Sequence, residues 1–245
     1  MRICQVEDYA AMSRAAADII ASQVILKPDC VLGLATGSTP IGAYGHLAER
    51  YRKGELSFAS VRTVNLDEYY GLAPEHVQSY RHFMEENLFS HVDVKPENTN
   101  VPSGLASDPE AECAGYDRLI SELGGIDLQL LGMGHNGHIG FNEPGPAFVP
   151  ETHLVELTES TINANSRLFA SREEVPRQAL TMGIRAIMQA KTVLVIVSGG
   201  DKADAVAKAF AGPVTPDVPA SILQLHPDVV LVADKAALAK LEVCA

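Results

Sequence analysis

At 245 residues, with 47% hydrophobic and 20% charged side chains, the chain has the make-up of a globular protein able to bury a sizeable core. Its net charge of -12 excludes broad binding of nucleic acid or of anionic membrane surface, which need basic faces, but leaves room for a small anion met by local positive potential. No apolar run approaches a bilayer span, acidic residues stand where a secretory leader would be apolar, and Cys4, Cys30, Cys113 and Cys244 fall at no CxxC spacing, so a cytoplasmic chain with reduced thiols is expected.

No linker-like stretch or internal repeat interrupts the pattern, and a single domain over 1–245 is expected. From about Glu7 to Ile25, Met12, Ala16, Ile19 and Ile20 recur at helical spacing, and Lys27-Pro28-Asp29 stops the helix. An apolar strand, Val31 to Ala35, then leads into Thr36-Gly37-Ser38-Thr39-Pro40 and a helix to about Arg52, the proline suiting a helix start. Val61 to Leu66 reads as a strand, Asp67 to Gly71 as the loop after it, and Tyr80 to Phe89 as a helix; Asp108 is a candidate N-cap for another. Ile126 to Leu131 is a strand running into a glycine-rich segment, and Val175 to Ala190 reads as helical. Thr192 to Val197 is a β-branched strand followed by Ser198-Gly199-Gly200-Asp201-Lys202 and an alanine-rich helix, and Val229 to Val232 is the last strand. Unbroken apolar strands alternating with helices predict an α/β fold: a Rossmann-like, mostly parallel sheet with helices on both faces. In such sheets ligands bind beyond the carboxyl ends of the strands, where all four polar loops fall.

Each loop has a functional and a structural reading. Thr36 to Pro40 presents hydroxyls and a helix N-terminus, which suits a phosphate, yet equally describes a capped turn; it is not a Walker A loop. Lys202 stands at a helix start, where a cation is mildly unfavourable, so another interaction is expected to hold it. Asp67 and Glu68 stand at a strand end, and neighbours continuing the strand's alternation face opposite ways, so no paired site is expected of them. One can face the crevice as a general base while the other bonds backbone, or both can cap backbone. The segment Gly132-Met133-Gly134-His135-Asn136-Gly137-His138 with Glu143 combines glycines for close approach with groups suited to proton transfer near neutral pH. His135, His138 and Glu143 match no zinc spacing, and no metal is expected.

These residues carry a resemblance to the glucosamine-6-phosphate deaminase family, running nearly end to end. It rests on Leu32 to Pro40, Asn65-Leu66-Asp67-Glu68-Tyr69, Gly137-His138-Ile139-Gly140-Phe141-Asn142-Glu143-Pro144, Ala164-Asn165-Ser166-Arg167 and Ala179 to Gly183. The resemblance implies conversion of glucosamine 6-phosphate and water to fructose 6-phosphate and ammonia without a cofactor. It implies that Asp67 is the base moving a proton between carbons 2 and 1, that His138 assists ring opening, and that Glu143 is the partner of His138. Asn136 joins this catalytic set in support. Thr36, Gly37, Ser38, Thr39, Arg167 and Lys202 match the substrate-phosphate site, and Gly132 and His135 fall among the substrate contacts. The family further implies a lid around 145–170 and either a monomer or a homo-oligomer.

One stretch departs from members that N-acetylglucosamine 6-phosphate activates. Where these carry serines and basic residues, the chain reads Gly145-Pro146-Ala147-Phe148 and His153-Leu154-Val155-Glu156, so little or no activation is expected. Two rivals remain: a 6-phosphogluconolactonase, with a related fold and Gly-His loop, against which stand Leu-Asp-Glu-Tyr and Phe-Asn-Glu-Pro as typical of deaminases, and a non-enzymatic sugar-phosphate sensor, which would have no need of Asp67, His138 and Glu143 together.

Overall fold

The computed structural model describes residues 1–166, 169 and 171–241. Arg167 and Cys244, singled out above, lie outside them.

Seven strands form one parallel sheet: β1 (Arg2–Val6), β2 (Val31–Leu34), β3 (Arg62–Asn65), β5 (Thr99–Asn100), β6 (Leu128–Leu131), β9 (Thr192–Val197) and β10 (Val229–Asp234). Their order is β1-β10-β9-β6-β2-β3-β5, with parallel pairing at every junction. The central strands are buried along almost their whole length, which is why they read as continuous apolar runs. A separate antiparallel sheet joins β4 (Asp67–Tyr69), β8 (Gln178–Thr181) and β7 (His153–Glu156) in the order β4-β8-β7.

Helices α1 (Tyr9–Leu26), α2 (Ile41–Arg52), α3 (Tyr80–Asn87), α4 (Pro109–Glu122), α5 (Glu159–Asn165), α6 (Ile184–Gln189) and α7 (Ala203–Ala211) complete the chain. In α1 the buried Met12, Ala16, Ile20 and Val24 lie four apart, so one stripe faces the sheet. Asp8 caps its first turn by accepting from the Ala11 amide at 2.8 Å. Asp108 does the same for α4, as expected, accepting from Glu110 and Ala111.

Two expectations fail here. The segment from Val175 to Ala190 is not one helix: it enters as β8, turns at Gly183 and only then forms α6. Ala179, Leu180 and Thr181 are buried between two partner strands, so pairing on both edges overrides a spacing that also fits a helix. Likewise Asp67 to Tyr69 is a strand rather than a loop, held by its pairing with Thr181, Leu180 and Ala179.

The strand order reverses direction in sequence between β6 and β2. Their pairing is limited to Leu32↔Leu128 and Gly33↔Gln129, so it stops two residues short of the carboxyl end of β6. This is the topological switch point at which α/β sheets open a crevice.

Candidate active site

A cavity of about 650 Å³ occupies that crevice. Three of the four polar loops line it directly, and the fourth contributes Lys202. Ser198 and Gly199 turn away to Asp234 at the end of β10, the Gly199 amide donating to Asp234 Oδ2 at 3.0 Å.

After β2, the turn Thr36–Thr39 lines the cavity at the start of α2, with Gly37 in the left-handed region at φ 94°. Tyr9 from α1 steadies this turn: its hydroxyl donates to Ser38 O at 3.1 Å and accepts from the Gly42 amide at 3.0 Å. Across the crevice, Lys202 Nζ donates to Met133 O at 3.0 Å, which is the interaction that offsets its place at a helix start. Burial pulls the Lys202 ammonium below its ordinary value, leaving a half-desolvated cation aimed at the cavity. His135 also lines the cavity but is largely exposed, with Nε2 2.6 Å from Asp201 Oδ2. Gly132 lines the cavity floor.

Asp67 and Glu68 face opposite ways, as strand neighbours must. Asp67 lines the cavity and is 6% exposed; burial, and then the charge of Glu68, push its carboxyl up to about 8. Glu68 points into the protein and accepts from the amides of Tyr69, Tyr80 and Arg81 at 2.8, 2.8 and 3.0 Å. One carboxylate therefore pins the start of α3 while the other is kept bare.

The loop after β6 owes its shape to three glycines. A Cβ on Gly134 would meet the His138 ring at 2.3 Å, so only glycine lets the imidazole lie across the turn. Gly137 and Gly140 adopt φ 82° and 58°, and a Cβ on Gly140 would stand 3.5 Å from Asp67 Oδ2 and 3.0 Å from Thr181 Oγ1. The loop thus passes close beside the Asp67 carboxylate. Asn142 anchors it, donating to Ile139 O and Met182 O at 2.9 Å each.

Glu143 stands behind His138, with Oε1 3.2 Å from Nδ1. That distance suits charge pairing, although Nδ1 is not aligned for a hydrogen bond. Glu143 Oε2 accepts from Asn136 Nδ2 at 2.6 Å and Oε1 from the Thr161 hydroxyl at 2.7 Å. Burial opposes the Glu143 charge, but His138, Thr161 and Asn136 together outweigh it and bring the carboxyl down to about 2. The site thus combines a carboxyl pushed up, facing the cavity, with another held firmly ionised behind His138, the separation that assigns distinct acid–base roles. Among the described residues no three His, Cys, Asp or Glu side chains group as metal ligands would.

Thr161 and the aromatic wall escaped the sequence reading. Tyr69, Tyr80 and Phe141 pack together, with Tyr80 stacked on Phe141 at 6.0 Å, and all three border the cavity. Thr161 lies one helical turn before Asn165, and the repeat Thr158-x-x-Thr161 was its only local signal. A larger cavity of about 870 Å³ lies beyond Glu68. Its Arg81 is bound to Thr99 and Glu85 and its Glu112 to the Ser103 amide.

Fold and site together define an α/β enzyme of the acid–base type. The chain belongs to the family described as glucosamine-6-phosphate isomerases/6-phosphogluconolactonase, whose model matches residues 7–231. It is 62% identical to a glucosamine-6-phosphate deaminase of Lachnoclostridium phytofermentans, over 95% of this chain and 98% of that one. It is 53% identical to one of Clostridioides difficile, over 98% and 97%. A solved structure of a monomeric glucosamine-6-phosphate deaminase is similar at a TM-score of 0.95 and 47% identity, over 98% of this chain and all of that one. The 6-phosphogluconolactonase of Thermotoga maritima shares the fold at 0.75 with 21% identity, over 96% and 99%.

Proposed function

We propose that the chain converts glucosamine 6-phosphate and water to fructose 6-phosphate and ammonia. The observation that carries the reading is Asp67: a buried carboxylate of raised proton affinity facing the same cavity as His138 and Lys202. Lactone hydrolysis removes no carbon-bound proton, whereas the isomerisation step needs a base placed at carbon 2. The similarity to deaminases at more than half identity points the same way.

In this reading the backbone amides and hydroxyls of Thr36 to Thr39, Lys202 and Arg167 hold the phosphate, with Gly132 and His135 beside the sugar. His138 moves a proton between the anomeric hydroxyl and the ring oxygen, breaking the ring bond and freeing the aldehyde. Glu143, ionised and hydrogen-bonded, orients the imidazole, and Asn136 fixes Glu143. Asp67 then takes the proton from carbon 2 and returns it to carbon 1. The electron pair shifts through the enolamine to leave an imine at carbon 2, and water adds there as ammonia departs. No step calls for a metal or an organic cofactor. A lid around 145–170, as the family resemblance implies, belongs to this reading.

The test is a coupled assay for ammonia and fructose 6-phosphate. Asp67→Asn is expected to lower kcat about a thousandfold or more while substrate binding, read by calorimetry, persists. EDTA is expected to leave the rate unchanged. Hydrolysis of 6-phosphogluconolactone without ammonia release would transfer the chain to the lactonase side of its family.

A further inference from the structure

The geometry points to Thr161 as the positioning residue that turns the Glu143 carboxylate toward His138, tying assembly of that pair to the seating of α5. This inference rests on the catalytic reading just given.

Glu143 is an acceptor with two oxygens, and each already has a donor. Oε2 takes the Asn136 amide, while Oε1 is shared between the Thr161 hydroxyl at 2.7 Å and His138 Nδ1 at 3.2 Å. Because Nδ1 is poorly aligned with Oε1, His138 favours the Glu143 charge while the two shorter bonds set the carboxylate's orientation. Asn136 sits on the same loop as His138, so it cannot register anything beyond that loop. Thr161 comes from α5, a separate element that lines the same cavity.

The direction of the bond is settled by chemistry. An ionised carboxylate only accepts, so the single Thr161 proton goes to Glu143, and the 3.0 Å contact between Thr158 Oγ1 and Thr161 Oγ1 is then donated by Thr158. Thr158 Oγ1 in turn accepts from the Thr161 amide at 3.2 Å, capping α5. A polar relay therefore runs from the helix cap through Thr161 to the carboxylate. Next to it, Ile162 is buried against the Tyr69–Phe141 cluster, which fixes how deep the helix sits. When α5 is seated, Glu143 is held in register behind the imidazole; when it lifts, Oε1 loses its shortest bond.

Thr161→Val keeps the shape and removes the donor, whereas Thr161→Ser keeps the donor and removes a methyl. The positioning role predicts that Thr161→Val loses about tenfold in kcat with KM within twofold, at unchanged Tm, and that Thr161→Ser stays within about threefold of wild type. A packing role predicts the reverse order, and that result would overturn the inference. A second readout needs no turnover. In protein labelled with 15N-histidine, the His138 ring nitrogens, assigned through His138→Gln, are expected to shift in Thr161→Val and not in Thr161→Ser. Unmoved resonances in Thr161→Val would also overturn it. Absence of ammonia release by the wild type would instead sink the deaminase reading, leaving the resonances to decide the positioning role.

Discussion

Asp67 bears an electrostatic cost that the reaction uses. With its folded carboxyl near 8 against an ordinary 3.8, it is protonated in both folded and unfolded states at low pH and costs nothing there. As pH rises from about 4 to 8 the unfolded chain releases this proton and the folded one keeps it, so stability falls across that window and levels off above it. Asp67→Asn removes the penalty. The variant is expected to gain on wild type through the same window, reaching on the order of 1–4 kcal/mol at pH 8 after allowing for the buried amide. Urea unfolding of both proteins at several pH values checks this, and a difference that stayed flat from pH 4 to 8 would contradict it. Glu143 shows the opposite balance, because three neighbours outbid the burial that alone would have raised it. The sequence placed both carboxylates near reactive partners. It could not separate their proton affinities, which depend on burial and on Thr161 arriving from another element.

At the scale of elements, the two ends of the sheet divide the work. Asp127, just before β6, accepts from the Val31 amide and from Lys27 and Lys191 at 2.7–2.8 Å, clipping together the amino ends of β2, β6 and β9. The carboxyl ends of β2 and β6 are left free to part around the cavity. Burial works against the Asp127 charge, but the two lysines and the amide hold its carboxyl below the ordinary value. Asp127→Ala is expected to cost about 2–4 kcal/mol near pH 7. This contribution is present above the ordinary carboxylate value of 3.8 and is lost as pH falls through the lowered folded one, so wild type and variant should converge in acid. Chemical denaturation at pH 7 and pH 3 tests both statements, and equal stability at pH 7 would refute the first. The central strands and α1, α2 and α7 were legible in the sequence because each carries an unambiguous apolar pattern. The strand in Gln178–Thr181 was not, since a four-residue run fits either period and only its neighbours β4 and β7 choose between them.

For the whole molecule, the edge of the small sheet bears on regulation. In β7, Glu156 accepts from Gln178 Nε2 at 2.6 Å, in the stretch where the resemblance puts the basic residues of activated members. Substrate saturation is expected to be hyperbolic and unchanged by N-acetylglucosamine 6-phosphate; a sigmoidal curve made hyperbolic by that sugar would count against this. By itself the sequence determined the α/β class, the parallel core strands and the loops that line the cavity, because these follow from local periodicity and from glycines whose backbone needs are local. Only the tertiary structure decided that Asp67 lies on a second sheet, that Glu68 is spent on the start of α3, and that Thr161 reaches Glu143. Each of those depends on which distant segment shares a side chain's surroundings, and desolvation and hydrogen bonding exist only once those segments have met.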